Sequence, residues 1–363
     1  MRLVSLDEAR TAFLAKIEPV ASTSMATSKA GGLVLAEDVV AAADIPPTAL
    51  ALERGYAIAS RASVGASSYL PNMLGEMPPL LEAGEALPAG SDSILDPADL
   101  RQTSGGAEII ASVAPGRHVR QAGGDLTAGR VIAAAGTRLS GSQVAVLRAA
   151  GVSEVAIRVP SVVVMAPKGS CFAASLVMDL VARTGADVSI AYVPESRLAG
   201  ALPSTASADL ALVAGWNGPA FKSAVGALSA AGQLVAGDLA VNPGAAMACG
   251  FIDPQARSSP VILLPGRIEE TLAGWLLLAR PALDQLAGFT APRPTTVLPL
   301  ARKIASAPGT VDLALVKRQI DRWKPLGIGD ISWAAIAEAD AWLAIAAESE
   351  GFAAGEIVEA EFL

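Results

Sequence analysis

The chain has 363 residues, too many for one ordinary core, and the length points to about two to four domains. It is 52% hydrophobic, largely through alanine, and only 4% aromatic, which is globular composition and excludes a wholly disordered chain. The net charge of −8, from 27 basic and 35 acidic residues, excludes a dedicated nucleic-acid binder but leaves room for a local cationic pocket that takes a small anion.

No apolar run approaches the roughly 18 residues that span a bilayer. The run from Trp275 to Ala279 is closed by Arg280 and Pro281. The N-terminus is charged and amphipathic, unlike a secretory signal, so the expected location is the cytoplasm. Cys171 and Cys249 are the only cysteines, and His118 is the only histidine. A structural metal site needs about four ligands, so none is expected.

Along the chain, residues 6–20 place Leu6, Ala9, Phe13 and Ile17 at helical spacing, with Ser5 as N-cap. A short strand follows at Leu33–Val40 and ends before Pro46-Pro47. Residues 48–130 are rich in Gly, Pro and Ser with short alternating runs such as Ala107–Val113, the pattern of a small β-rich insert. From Ser161 to Met165 the β-branched run is continuous, as in a strand buried on both faces. A helix over Ala174–Thr184, a strand at Val188–Tyr192, a helical stretch near Glu195–Leu202 and a strand at Leu210–Val213 come next. Phe221–Ala231 reads as helix, Gln233–Val241 and Val261–Leu264 as strands, and residues 269–287 as helical. Strands alternating with helices imply a mostly parallel sheet, with ligands bound in the loops after the strands' carboxyl ends. Those loops begin at Ala166, Ala214 and Pro265. Pro292 and Pro294 mark a linker to a compact β-rich tail.

Several stretches carry a resemblance. Gly32-Leu-Val-Leu-Ala-Glu-Asp-Val39 is followed by Asp44-Ile-Pro-Pro47, and Gly55-Tyr56-Ala57 comes eight residues on. Leu87-Pro-Ala-Gly-Ser-Asp92 and Pro115-Gly-Arg-His-Val-Arg-Gln-Ala-Gly-Gly-Asp125 come next. Leu147-Arg-Ala-Ala-Gly151, Pro243-Gly244, Leu264-Pro-Gly266, Pro281-Ala-Leu283 and Gly355-Glu356 complete the series. In this order the stretches resemble the molybdopterin molybdenumtransferase family, which includes the gephyrin E domain. The resemblance implies an α/β multidomain fold. A discontinuous scaffold domain covers 1–47 and 131–160, and a β-rich insert covers 48–130. A molybdopterin-binding-like three-layer α/β domain with a mostly parallel sheet covers 161–289, and a β-barrel-like domain covers 290–363. It also implies an elongated homodimer.

The departures bear on chemistry. The aspartate of the family's M-D-G-Y-A is Arg54 here, and the T-G-D-E loop is Ala166-Pro-Lys-Gly169, with Lys168 at the aspartate. The T-G-A threonine is Ala83. Both lysines of K-P-G-K-P are lost, to Asn242 and Ala245, and L-P-G-N-P is Leu264-Pro-Gly-Arg-Ile268. The family's S/T-G-G-x-S-x-G loop is Ala214-Gly-Trp-Asn-Gly218, with Trp216 in place of a glycine, and its bulk is expected to fill space that a pterin or phosphate would occupy. A serine of the tail domain aligns with Asp330. A cation cannot ligate Mg²⁺, so Mg²⁺ is not expected and ordinary molybdate insertion is expected to be lost or altered. The ligand-binding candidates are Arg54, Tyr56, Arg120, Asp125, Lys168, Gly215, Gly244 and Gly266. Arg54 and Lys168 are either solvated or a metal-free anion site. Arg120 either binds an oxyanion or pairs with Asp125, and Asp125 either serves a ligand or caps a turn. His118 and Tyr56 are expected to be structural. Bound molybdopterin or nucleotide is the leading reading, with catalysis left open. The alternatives are a non-catalytic scaffold or carrier, and an enzyme acting on a different anionic substrate.

Overall fold

A computed structural model describes residues 3–169, 171–231, 233–252 and 259–363. Met1 and Arg2, which open the charged N-terminal stretch, lie outside them. The chain divides into two compact units. One comprises Met1–Glu37, Ala135–Ala145 and Ser153–Leu363, and the other comprises Asp38–Ala134 and Val146–Val152.

The larger unit is built on a six-stranded sheet. Its strands are β1 (Ser161–Ala166), β2 (Asp187–Tyr192), β3 (Leu210–Trp216), β4 (Leu234–Gly237), β5 (Ala248–Ile252) and β6 (Ser259–Pro265), in the order β2-β1-β3-β6-β5-β4. The pairs β1–β2, β1–β3 and β3–β6 are parallel, whereas β5 runs antiparallel to both β6 and β4. Burial on both faces explains the continuous apolar runs in β1, β3 and β6. Val162, Val164, Leu212, Ile262 and Leu264 face one core, with Val177 and Val181 of α1 (Phe172–Ala182). Met165, Ala211, Val213, Val261 and Leu263 face the other, with Phe221 and Leu228 of α2 (Gly218–Ala230). Helices on both faces make the three layers.

Two departures from the expected elements have local causes. The N-terminal helix spans only Leu6–Leu14, with Ser5 accepting from Glu8 N–H, although Ile17 is still buried beyond its end. The strand expected over Gln233–Val241 is broken, because Asp238 adopts φ 51°, outside the extended region. Val241–Asn242 pairs instead with Val311 and Asp312 of the tail.

Within the same unit, the tail contributes β7 (Thr295–Pro299), β8 (Val311–Gln319), β9 (Arg322–Ile328), β10 (Ala341–Ile345) and β11 (Ile357–Phe362). They run β9-β8-β10-β11-β7, all antiparallel. A single bridge between Leu300 and Trp323 joins the two ends of that path, giving an incompletely closed barrel around buried Trp323. The short helix Trp333–Glu338 follows β9, with Ser332 as its N-cap accepting from Ala335 N–H.

The smaller unit is β-rich, as expected. Gly55–Ile58 lies between Leu80–Leu81 and Ser93–Leu95, and Gly106–Ile109 lies between Asn72–Leu74 and Leu100–Thr103. Ile58, Leu95, Ala107 and Ile109 form its main core.

Candidate functional site

The carboxyl ends of β1, β3 and β6 open into a crevice of about 530 Å³. Pro167 and Cys171 enter it from the loop after β1, Gly215 from the end of β3, Gly266 and Arg267 from the loop after β6, and Trp333 from the short helix after β9. The shape is set at Gly215. Register between β3 and β6 passes from Val213↔Leu263 to Trp216↔Pro265, so β3 carries one extra residue there. Gly215 sits in this bulge at φ 99°, and a Cβ on it would lie 2.9 Å from Pro167 Cδ and closer still to Cys171 Sγ. Only glycine lets the loops approach this far.

The bulge also overturns the expectation for Trp216. One extra residue returns position 216 to the face of Val213, so the indole packs with Met165, Ala220 and Phe221, 4% exposed. It does not line the crevice. Burial also leaves its Nε1–H without a hydrogen-bond partner.

Charge in the crevice comes from the turn after β6. Arg267 pairs with the buried carboxylate of Glu269. Both side chains also line an adjoining pocket of about 470 Å³ with Asn242, Gly244, Glu270 and Asp330. Burial raises the Glu270 carboxyl above its ordinary value against the opposing field of Arg267, and neighbouring Glu269 adds to the rise. Asn242 donates to Asp312 at 2.9 Å, and Ser306 donates to the other carboxylate oxygen at 2.7 Å. The amide that stands at a lysine position of the family is therefore committed to a part-buried internal contact.

The structure sorts the residues expected from sequence. Gly215 and Gly266 line the crevice, and Gly244, at φ 102° after a cis Asn242–Pro243 bond, lines the adjoining pocket. Lys168 is exposed on the loop between Pro167 and Cys171 and is not in the wall. The other four candidates belong to the smaller unit. Arg54 donates to Glu82 at 2.9 Å, and Arg120 pairs with Asp125 at 3.1 Å, all four half or more exposed or nearly so. Tyr56 is half-buried against the core, where Gly55 is required because a Cβ would meet the Leu95 carbonyl at 2.5 Å. His118 Nδ1 lies 3.2 Å from Glu53.

Sequence reading missed Glu269 and Glu270, noted Cys171 only as one of two cysteines, and treated Arg267 only as a departure. It also missed Phe172 and Trp333. A signal was present, since adjacent glutamates open the helix α3 (Ile268–Gly274) directly after a β-strand loop.

A mostly parallel sheet flanked by helices, with a crevice at its strand ends and a barrel-like tail beside it, defines a multidomain α/β fold, a class in which ligands bind at such strand ends. Residues 4–151 match the family described as MoeA N-terminal region (domain I and II). A molybdopterin molybdenumtransferase of Synechococcus elongatus is 27% identical over 157 residues, a match that covers 38% of this chain and 39% of that relative's length. A molybdopterin biosynthesis MoeA protein of Pyrococcus horikoshii shares the fold over 100% of both chains, at a TM-score of 0.82 and 21% identity. A molybdenum cofactor biosynthesis protein of Pyrococcus furiosus does so at 0.66 and 18%, again over 100% of both chains. Residues 4–151 thus match the MoeA N-terminal region, and the chain as a whole shares the fold of the solved MoeA proteins. Among the described residues, no helix is long and apolar enough to cross a membrane.

Proposed function

We propose that the chain acts in molybdenum-cofactor biosynthesis, binding a pterin or nucleotide in the crevice at the ends of β1, β3 and β6, with the family's molybdate insertion lost or altered. The observation that carries this reading is the open crevice itself. Its two glycine loops are kept, and Trp216, which would have closed it, is turned into the core. That same observation weighs against the scaffold alternative, which a crevice filled by Trp216 would favour.

Altered chemistry rests on donor type. Arg54 and Lys168 stand where the resemblance places carboxylates, and neither can ligate Mg²⁺. These residues do not fit the ion, so no step through it is derived. Arg54 and Arg120 also form part of the reading as an anion site on the smaller unit, where an anion would displace Glu82 or Asp125. The proposal further places the protein in the cytoplasm as a homodimer with the four-domain division given above. Sedimentation at micromolar concentration tests the dimer, and a clean monomer contradicts it.

The functional test is conversion of adenylylated molybdopterin and molybdate in the presence of Mg²⁺. Conversion is expected below detection. Turnover within about tenfold of an ordinary family member would contradict altered chemistry.

A further inference from the structure

In a chain with 4% aromatic residues, Phe172 and Trp333 are 67% and 65% exposed, and both line the crevice. Tyr192, 56% exposed, lines a cavity of about 200 Å³ that shares Cys171 and Phe172 with it. Stability does not account for rings held in water at the mouth of a pocket, and a contiguous apolar patch of this kind marks a binding surface.

The ring geometry limits what can bind. The Phe172 and Trp333 centroids are 6.3 Å apart with the planes tilted by 56°. A ring sandwiched between them would need about 7 Å between parallel faces, twice a van der Waals contact. The pair therefore forms an open V, in which a planar ligand stacks on one ring and meets the other with its edge. Arg267 is the one cation among the described residues of the wall, and its pairing with Glu269 leaves guanidinium donors free. A polyphosphate would meet Glu269 beside that single cation, whereas one acidic group would not exceed what Arg267 can hold.

We infer that Phe172 and Trp333 form the recognition platform for a planar nitrogen heterocycle carrying one acidic group, which Arg267 holds. The inference rests on reading the crevice as the ligand site. Pterins and nucleotides share this chemistry, so pterin-6-carboxylate and AMP serve as separate arms.

The test is titration of the full chain with each compound, followed by calorimetry and tryptophan fluorescence. At least one arm should bind and quench fluorescence, and the tighter arm identifies the source of the heterocycle. Phe172→Ala and Trp333→Ala should each weaken it roughly three- to tenfold, the worth of one aromatic contact. Trp333→Tyr should stay within about twofold because a stacking face remains. Arg267→Ala should weaken both compounds but not unsubstituted pterin, which lacks the acid. Equal binding to the wild type and to the Phe172→Ala/Trp333→Ala double variant would overturn the platform while leaving the crevice as a ligand site. Binding of neither compound would overturn it as well. Pterin carried through purification is scored separately, so failure of the wider reading is distinguishable from failure of the platform.

Discussion

The backbone N–H of Gly266 donates to the side-chain oxygen of Asn217 across 3.0 Å, tying the loop after β6 to the loop after β3 at the rim of the crevice. Asn217 is the N-cap residue of α2, yet its side chain caps nothing there. An oxygen suited to capping has been diverted to a tertiary contact. Asn217→Ala should lower stability by about 0.5–1.5 kcal/mol, the net worth of one such bond, and weaken crevice ligands. Asn217→Asp, which keeps the acceptor, should retain most of the stability. Urea unfolding of the two variants makes the comparison.

Gly215 should be intolerant of any side chain. Its φ of 99° is strained for alanine, and the added Cβ would strike Pro167 and Cys171. Gly215→Ala should cost about 2–4 kcal/mol through strain and overpacking together. Gly218→Ala, at φ 61° with open space around it, should cost about 1 kcal/mol. Denaturant midpoints at matched slopes decide this, and equal costs would mean that the loops yield freely.

The pH dependence of stability should change at Glu270. Burial raises its carboxyl above the ordinary 4.5, so the folded state holds that proton more tightly than the unfolded state does. The contribution to stability is therefore full at low pH and declines as pH rises from about 4.5 through the folded value. Glu270→Gln should remove that decline, making the variant more stable relative to wild type above this window than below it. Unfolding free energies across the acidic range would show the divergence, and parallel profiles would contradict it.

Trp216 provides a test of which way β3 faces. Trp216→Phe removes an unpartnered buried N–H and keeps most of the packing, so it should cost less than about 1.5 kcal/mol. Trp216→Ala should cost about 3–5 kcal/mol. Neither substitution should change the affinity of a crevice ligand by much, because the ring lies in the opposite core.

The parts of this fold that were legible in the sequence are those where burial dictates composition. Val162–Ala166 and Val261–Leu264 are apolar throughout because both faces of the sheet are covered, and each reads directly as a strand. Ala248–Ile252 was missed, since Ala-Cys-Gly-Phe-Ile carries little β-branched signal and its pairing is supplied by β6. Gly215 and Gly266 were legible at the site through the family motifs they sit in, where glycine permits close backbone approach. The direction of Trp216 was not, because a one-residue bulge reverses which face a side chain takes without leaving a local pattern. Phe172 and Trp333 are 161 positions apart in the numbering, and only the fold brings their rings together.

The central claim is that this chain keeps a crevice that holds a pterin or nucleotide while its metal-facing carboxylates have been exchanged for Arg54 and Lys168. The most direct measurement is the pterin and nucleotide content of the protein purified from a molybdopterin-producing host, with metal chelated throughout. Retained pterin or nucleotide approaching one per chain, and reduced in Arg267→Ala, is the predicted result. Protein from the same host carrying neither, or carrying it only when Mg²⁺ is present, would contradict the account.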